Sequence, residues 1–148
     1  MDNWQGDKDF FAMISLYQKM GPGDVNRQLL ARLYTDDIEF QDPLHQVSGI
    51  DNLTAYFSEL YENVLELSFN FHHGFRKGDE GCVHWTMTYR HKNLYGGRRD
   101  IIVHGVSLLT WREDKVCRHR DFFDAGELLY EHVPLFGWGI RKLKERLT

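Results

Sequence analysis

Apolar residues recur at helical spacing along the first half of this chain and at strand spacing along most of the second. Phe10, Ile14 and Tyr17 share one face of a helix predicted over Asp7 to Met20, and Gly21-Pro22-Gly23 stops it. Asp24 is the expected N-cap of a second helix with Val25, Leu29, Leu30 and Leu33 inward. A short strand over Ile38 to Asp42 ends at Pro43, and Ile50, Leu53, Phe57, Leu60 and Val64 then mark a third helix. From Leu67 the period becomes two. Leu67, Phe69, Phe71 and Phe75 alternate with polar residues, as do Val83, Trp85, Met87 and Tyr89. Ile101 to Trp111 and Val116 to Phe123 complete four consecutive strands, with turns at Arg76 to Gly81 and Tyr95-Gly96-Gly97. Short polar turns between such runs predict an antiparallel meander. Asp124-Ala125-Gly126-Glu127 has the form of a capping box, and residues 135–148 form a basic amphipathic C-terminal helix beyond Pro134. Helices first, a sheet second and a helical tail give an α+β fold, with residues 1–148 as a single domain.

Composition narrows the function classes. The chain has 148 residues, 42% hydrophobic and 27% charged, which suits one globular core. The aromatic share, 14%, is high enough to wall a cavity as well as fill a core. A net charge of −4 with mixed signs argues against a nucleic-acid partner. Cys82 and Cys117 form no CxxC pair, and the start of the sequence reads as no signal peptide, so the setting is expected to be cytoplasmic.

The candidate chemistry lies at two strand ends, in Phe40-Gln41-Asp42-Pro43 and His119-Arg120-Asp121-Phe122-Phe123-Asp124. Strand alternation puts Cys117, His119, Asp121 and Phe123 on one face, and Val116, Arg118, Arg120 and Phe122 on the other. A carboxylate beside an imidazole can shuttle a proton, so Asp121 and His119 are candidate catalytic residues; a structural ion pair, for instance with Arg118 or Arg120, or a cap on a nearby helix is the competing reading. Asp42 is either a base at a pocket mouth or the acceptor of an Asx-turn ahead of Pro43. Asp124 reads as a helix cap. Tyr17 is a hydrogen-bond donor to ligand or a core tyrosine with a satisfied hydroxyl. Trp85, Met87, Tyr89, Phe57 and Phe123 are expected to line the cavity, with His104 as a polar group in it or a cross-strand partner. His72-His73 point to opposite faces if extended, and no HxH or HExxH spacing occurs, so no metal and no cofactor are expected. The tail carries Phe136, Ile140, Leu143 and Leu147 on one face and Arg141, Lys142, Lys144 and Arg146 around the rest. Docking on its own domain or a second subunit is the expected use of that face, with membrane-surface contact as the alternative.

Two stretches carry a family resemblance. Leu33-Tyr34-Thr35-Asp36-Asp37-Ile38-Glu39-Phe40-Gln41-Asp42-Pro43 resembles the helix-to-first-strand passage of the nuclear-transport-factor-two-like superfamily, especially SnoaL-like proteins. Arg120-Asp121-Phe122-Phe123-Asp124 resembles the last-strand motif of SnoaL-like proteins and of limonene epoxide hydrolase. The resemblance implies a cone: a bent sheet with helices on its concave side, enclosing a pocket. It sets Asp42 at the place of the ketosteroid isomerase base and Tyr17 close to that enzyme's oxyanion-binding tyrosine, while the second oxyanion donor falls on Val106. Asp121 takes the place of the hydrolase's last-strand acid, but the accompanying Arg and Asp fall on Met87 and Tyr89. The implied protein binds a small hydrophobic molecule bearing a carbonyl or hydroxyl. Its implied chemistry is cofactor-free acid–base isomerisation, cyclisation or dehydration, or else non-catalytic binding in the same cavity. A homodimer through the outer sheet face is expected, as in many relatives.

Overall fold

The computed structural model describes residues 4–147. Strand β1 (Gln5–Gly6) and a 3-10 turn lead into helix α1 (Phe11–Lys19), followed by the short α2 (Arg27–Leu30). Strands β2 (Tyr34–Gln41) and β3 (Gln46–Ser48) form a hairpin, and α3 (Ile50–Leu60) follows. The meander is β4 (Val64–Lys77), β5 (Glu80–His91), β6 (Ile101–Arg112) and β7 (Lys115–Phe123). Helices α4 (Ala125–Leu128) and α5 (Pro134–Glu145) complete the chain.

All seven strands belong to one curved, unclosed sheet in the order β1-β4-β5-β6-β7-β2-β3. The meander is antiparallel, whereas β2 lies parallel to β7 with Phe40 opposite His119. That parallel pair brings the first third of the chain against the end of the last strand. Helices α1 and α3 cover the concave face. Tyr17 of α1 meets Phe69 and Phe71 edge-on at 5.1 and 6.2 Å, and Phe57 of α3 meets Phe40 at 5.2 Å. The α+β class and the cone-like arrangement expected from the sequence are therefore present.

Several local expectations change. Asn26, not Asp24, caps α2, accepting from the Leu29 amide at 2.8 Å. The first main strand begins at Tyr34 rather than Ile38, because the Leu33 carbonyl already accepts from Val116 N. Val64 opens β4 instead of closing α3. Bulges account for the changed faces, since one extra residue inverts every side chain beyond it. A register shift between Phe71 and His73 turns Phe75 outward, 63% exposed, and puts both His72 and His73 beside His84. A second shift, between Thr110 and Trp111, leaves Val116 buried rather than on the outer face.

Asp124 caps α4, accepting from the amides of Gly126 and Glu127. The reciprocal half of the capping box is absent, because the Glu127 carboxylate accepts from His104 N at 2.8 Å instead. Pro134 starts α5 at its first turn, where a missing amide hydrogen costs nothing. Among the described residues no helix is long and apolar enough to cross a membrane.

Candidate functional site

A cavity of about 190 Å³ lies between the concave sheet face and helices α1 and α3. Its walls are predominantly apolar. Of the sequence-derived candidates, Tyr17, Asp42, Phe57, Trp85, Met87, Tyr89, His119, Asp121 and Phe123 all line it. His104 does not. On β6 the residues Ile101, Val103, Gly105, Ser107 and Leu109 alternate inward, so His104 faces out, where its Nδ1 lies 3.2 Å from Thr86 Oγ1. The same alternation turns Val106 away from the cavity and places Ser107, 1% exposed, as the inward polar residue of that strand.

One hydrogen-bonded chain crosses the apolar interior. Trp85 Nε1 donates to Ser107 Oγ at 2.9 Å, and Ser107 donates to Asp121 Oδ1 at 2.5 Å. His119 Nε2 lies 2.6 Å from the same carboxylate oxygen. On the other side of the ring, His119 Nδ1 is 2.7 Å from Tyr34 Oη, which is 2.6 Å from Tyr17 Oη. Register fixes each link. Ser107 is the cross-strand partner of Asp121, and Trp85 that of Gly105. At Gly105 a Cβ would lie 2.2 Å from Trp85 Cη2, so the bare glycine is what lets the indole lie there and reach Ser107.

His119 and Tyr34 are fully buried, whereas the Asp121 side chain keeps 17% of its surface open and faces the cavity. Among the described residues Asp121 Oδ2 has no hydrogen-bond partner, and neither Arg118 nor Arg120 pairs with Asp121. The ion pair expected with Arg118 or Arg120 is therefore absent, and the group facing Asp121 is His119. Burial pushes both tyrosines well above the ordinary phenol range. Tyr34 and the Asp121 charge add to the rise at Tyr17; at Tyr34 the hydrogen bond with Tyr17 partly opposes it. Both remain phenols, so any proton passing through them must enter and leave together.

The chain has two self-consistent directions. With His119 neutral and its hydrogen on Nε2, Nδ1 accepts from Tyr34, and Tyr34 accepts from Tyr17. The Tyr17 hydrogen is then committed inward. With His119 charged, Nδ1 donates to Tyr34, Tyr34 donates to Tyr17, and the Tyr17 hydrogen is released toward the cavity. Tyr17 and Asp121 are thus coupled termini of one relay, both opening on the same space.

Asp42 is different. Its Oδ1 accepts from the amides of Leu44 and His45 at 2.7 and 2.8 Å, and its Oδ2 accepts from Tyr56 Oη at 2.6 Å. Burial, followed by that bond and the Asp42 charge, raises Tyr56 above its ordinary range. Both carboxylate oxygens are occupied, and the Asx-turn reading accounts for the residue. Tyr89 also spends its hydroxyl, donating to the Leu128 carbonyl; burial, and then Tyr95, push it up to about 12. Sequence reasoning missed Tyr34 and Ser107. Ser107 was visible as the polar member of an inward apolar row, but Tyr34 had no local signal.

Residues 15–119 match the family model of the SnoaL-like domain. The chain belongs to this SnoaL-like family. The matched stretch includes Tyr17, Tyr34 and Ser107 and stops at His119, short of Asp121. No curated protein matches in sequence. Among solved structures, a hypothetical protein from Catenulispora acidiphila with a ketosteroid isomerase-like fold, in complex with trimethylamine, superposes with a TM-score of 0.71 at 13% identity. It covers 84% of this chain and 92% of its own. A putative SnoaL-like polyketide cyclase from Jannaschia sp. CCS1 gives 0.66 at 21% identity, over 78% and 85%. An epoxide hydrolase of M. tuberculosis, like limonene epoxide hydrolase, gives 0.62 at 12%, over 81% and 83%. At these identities the likeness speaks for the fold.

Proposed function

We propose that this SnoaL-like protein binds a small hydrophobic molecule bearing a carbonyl and moves a proton on it without a cofactor, in an isomerisation, a cyclisation or a dehydration. The observation that carries this reading is the Tyr17–Tyr34–His119–Asp121 chain, whose two ends meet one apolar cavity. Asp121 is the base and His119 its partner. In the ion-paired state, Asp121 Oδ2 takes a proton from the carbon beside the carbonyl, and the C–H electron pair moves into the enolate. Tyr17 gives its hydrogen to the developing oxyanion and is refilled through Tyr34 from His119 Nδ1. The products are an enol, a neutral Asp121 and a neutral His119. Return of the Asp121 proton to a different carbon, with the relay running backward, completes an isomerisation. An apolar surround favours such charge-neutralising transfers because isolated charges are costly there.

The test is solvent exchange. In deuterated buffer the protein should accelerate deuterium incorporation into β-tetralone, followed by NMR; Asp121→Asn should abolish the acceleration, and Asp42→Asn should keep it. Absence of acceleration across a panel of hydrophobic ketones, with at least one of them bound in the cavity, would favour the non-catalytic binding module instead.

The protein is also proposed to form a homodimer through the outer sheet face. Phe122 pairs with Val106 across the strands there, beside the exposed Leu108, Ile102 and Phe75. Light scattering should give twice the monomer mass, and Leu108→Glu should halve it.

A further inference from the structure

Helix α5 is mounted inside out. Its polar side is the side that touches the protein: Arg141 Nη1 donates to the Glu131 carbonyl at 3.0 Å, and Lys144 Nζ reaches the carboxylates of Glu131 at 2.7 Å and Asp124 at 3.4 Å. Gly137 lies on this side, buried so close to Glu131 that a Cβ would come within 2.4 Å of its carbonyl oxygen. Most of the apolar residues face away. Leu135, Phe136, Trp138, Leu143 and Leu147 are between 59 and 88% exposed. No part of the described chain covers these five residues, and only Ile140 of that face is half-buried, so the expectation that the face docks on its own domain does not hold for the rest of it. A helix held on by its ions, with its aromatic and aliphatic residues presented outward, is arranged for another phase or another molecule.

We infer that α5 lies in the interface of an anionic lipid bilayer. Arg141 and Lys144 hold the helix to Glu131 and Asp124, and the outward side carries Lys142 and Arg146 against one acid, Glu145, on a chain of net charge −4. The outward side of the helix is therefore net positive and turns toward an anionic surface, while the acidic remainder turns away. Leu143, Phe136 and Leu147 form the stripe, with Arg146 near one border. A second copy fits less well. Two-fold packing of the stripe on itself would bring the same cationic borders together. The pocket residues Leu128 and Leu129 lie just ahead of the Tyr130–His132 turn that leads into α5, so the bilayer-facing helix is directly continuous with a wall of the apolar cavity. The inference stands without the proposed chemistry.

The test is co-sedimentation of the full chain with phosphatidylcholine vesicles, with and without phosphatidylglycerol. Binding should need the anionic lipid and weaken with salt. Phe136→Ser combined with Leu143→Ser should weaken it about tenfold or more while leaving the melting temperature unchanged, because both side chains are already exposed. Three results overturn the inference: no binding to anionic vesicles; equal binding by the double variant; or a dimer in solution that the double variant dissociates while vesicles take up nothing. The last would assign the stripe to a second copy.

Discussion

Tyr34 Oη stands 2.7 Å from His119 Nδ1, although Tyr34 itself does not line the cavity. The pocket therefore depends on a residue that no ligand in it reaches. Tyr34 fixes the His119 ring and joins the Tyr17 end of the relay to the Asp121 end.

Tyr34→Phe keeps the ring and removes the link. It leaves a buried imidazole nitrogen unsatisfied in the neutral state, and stability should fall by roughly 1–3 kcal/mol in chemical denaturation. Exchange into β-tetralone should drop even in the fully folded fraction. Unchanged exchange would assign Tyr34 a packing role only.

Asp42→Ala should cost stability alone. It orphans the Leu44 and His45 amides and the Tyr56 hydroxyl, so unfolding should become easier by about 1–3 kcal/mol. Exchange per folded molecule should remain. A loss of exchange at full stability would return Asp42 to the list of bases.

Gly105→Ala forces Trp85 off its seat and breaks the Trp85–Ser107–Asp121 hydrogen-bond chain. Overpacking of this kind costs about 1–3 kcal/mol. The Trp85 contribution to near-ultraviolet circular dichroism should change along with the melting temperature.

Stability should also depend on pH through the outer face. Burial, followed by repulsion from His72, His73 and His104, lowers His84 below its ordinary value of 6.5. The unfolded chain then binds a proton more readily than the folded one. This contribution to stability is present above about pH 6.5 and is lost as pH falls through the folded-state value. Denaturation midpoints measured from pH 7.5 downward should show that loss, and His84→Gln should reduce it.

How far the sequence carried depended on whether a signal was local. The inward set His119, Asp121 and Phe123 follows from strand alternation, and it survives in the structure because no bulge falls among them. Val116 and Phe75 obey the same rule on paper, but each lies beyond a one-residue slip that composition does not announce. Tyr34 was hidden for another reason. It follows Leu29, Leu30 and Leu33, which read as helix, and only the parallel pairing with β7 draws it into a strand. The tail was legible as amphipathic, but its orientation was not, because the ions that anchor it belong to Glu131 and Asp124 outside the helix.

The parallel union of β2 with β7 also bears on when the site comes into being. Tyr17 and Tyr34 are made early and His119 and Asp121 near the end, so the relay joins residues separated by most of the chain. During synthesis the cavity walls from α1 to β6 can gather without it. His119 and Asp121 arrive only with the last strand, when the longest loop in the topology closes. On the proposed chemistry, a nascent chain stalled before β7 lacks the Asp121 carboxylate, and gain of proton transfer would report completion of folding more sharply than any measure of helix or sheet content.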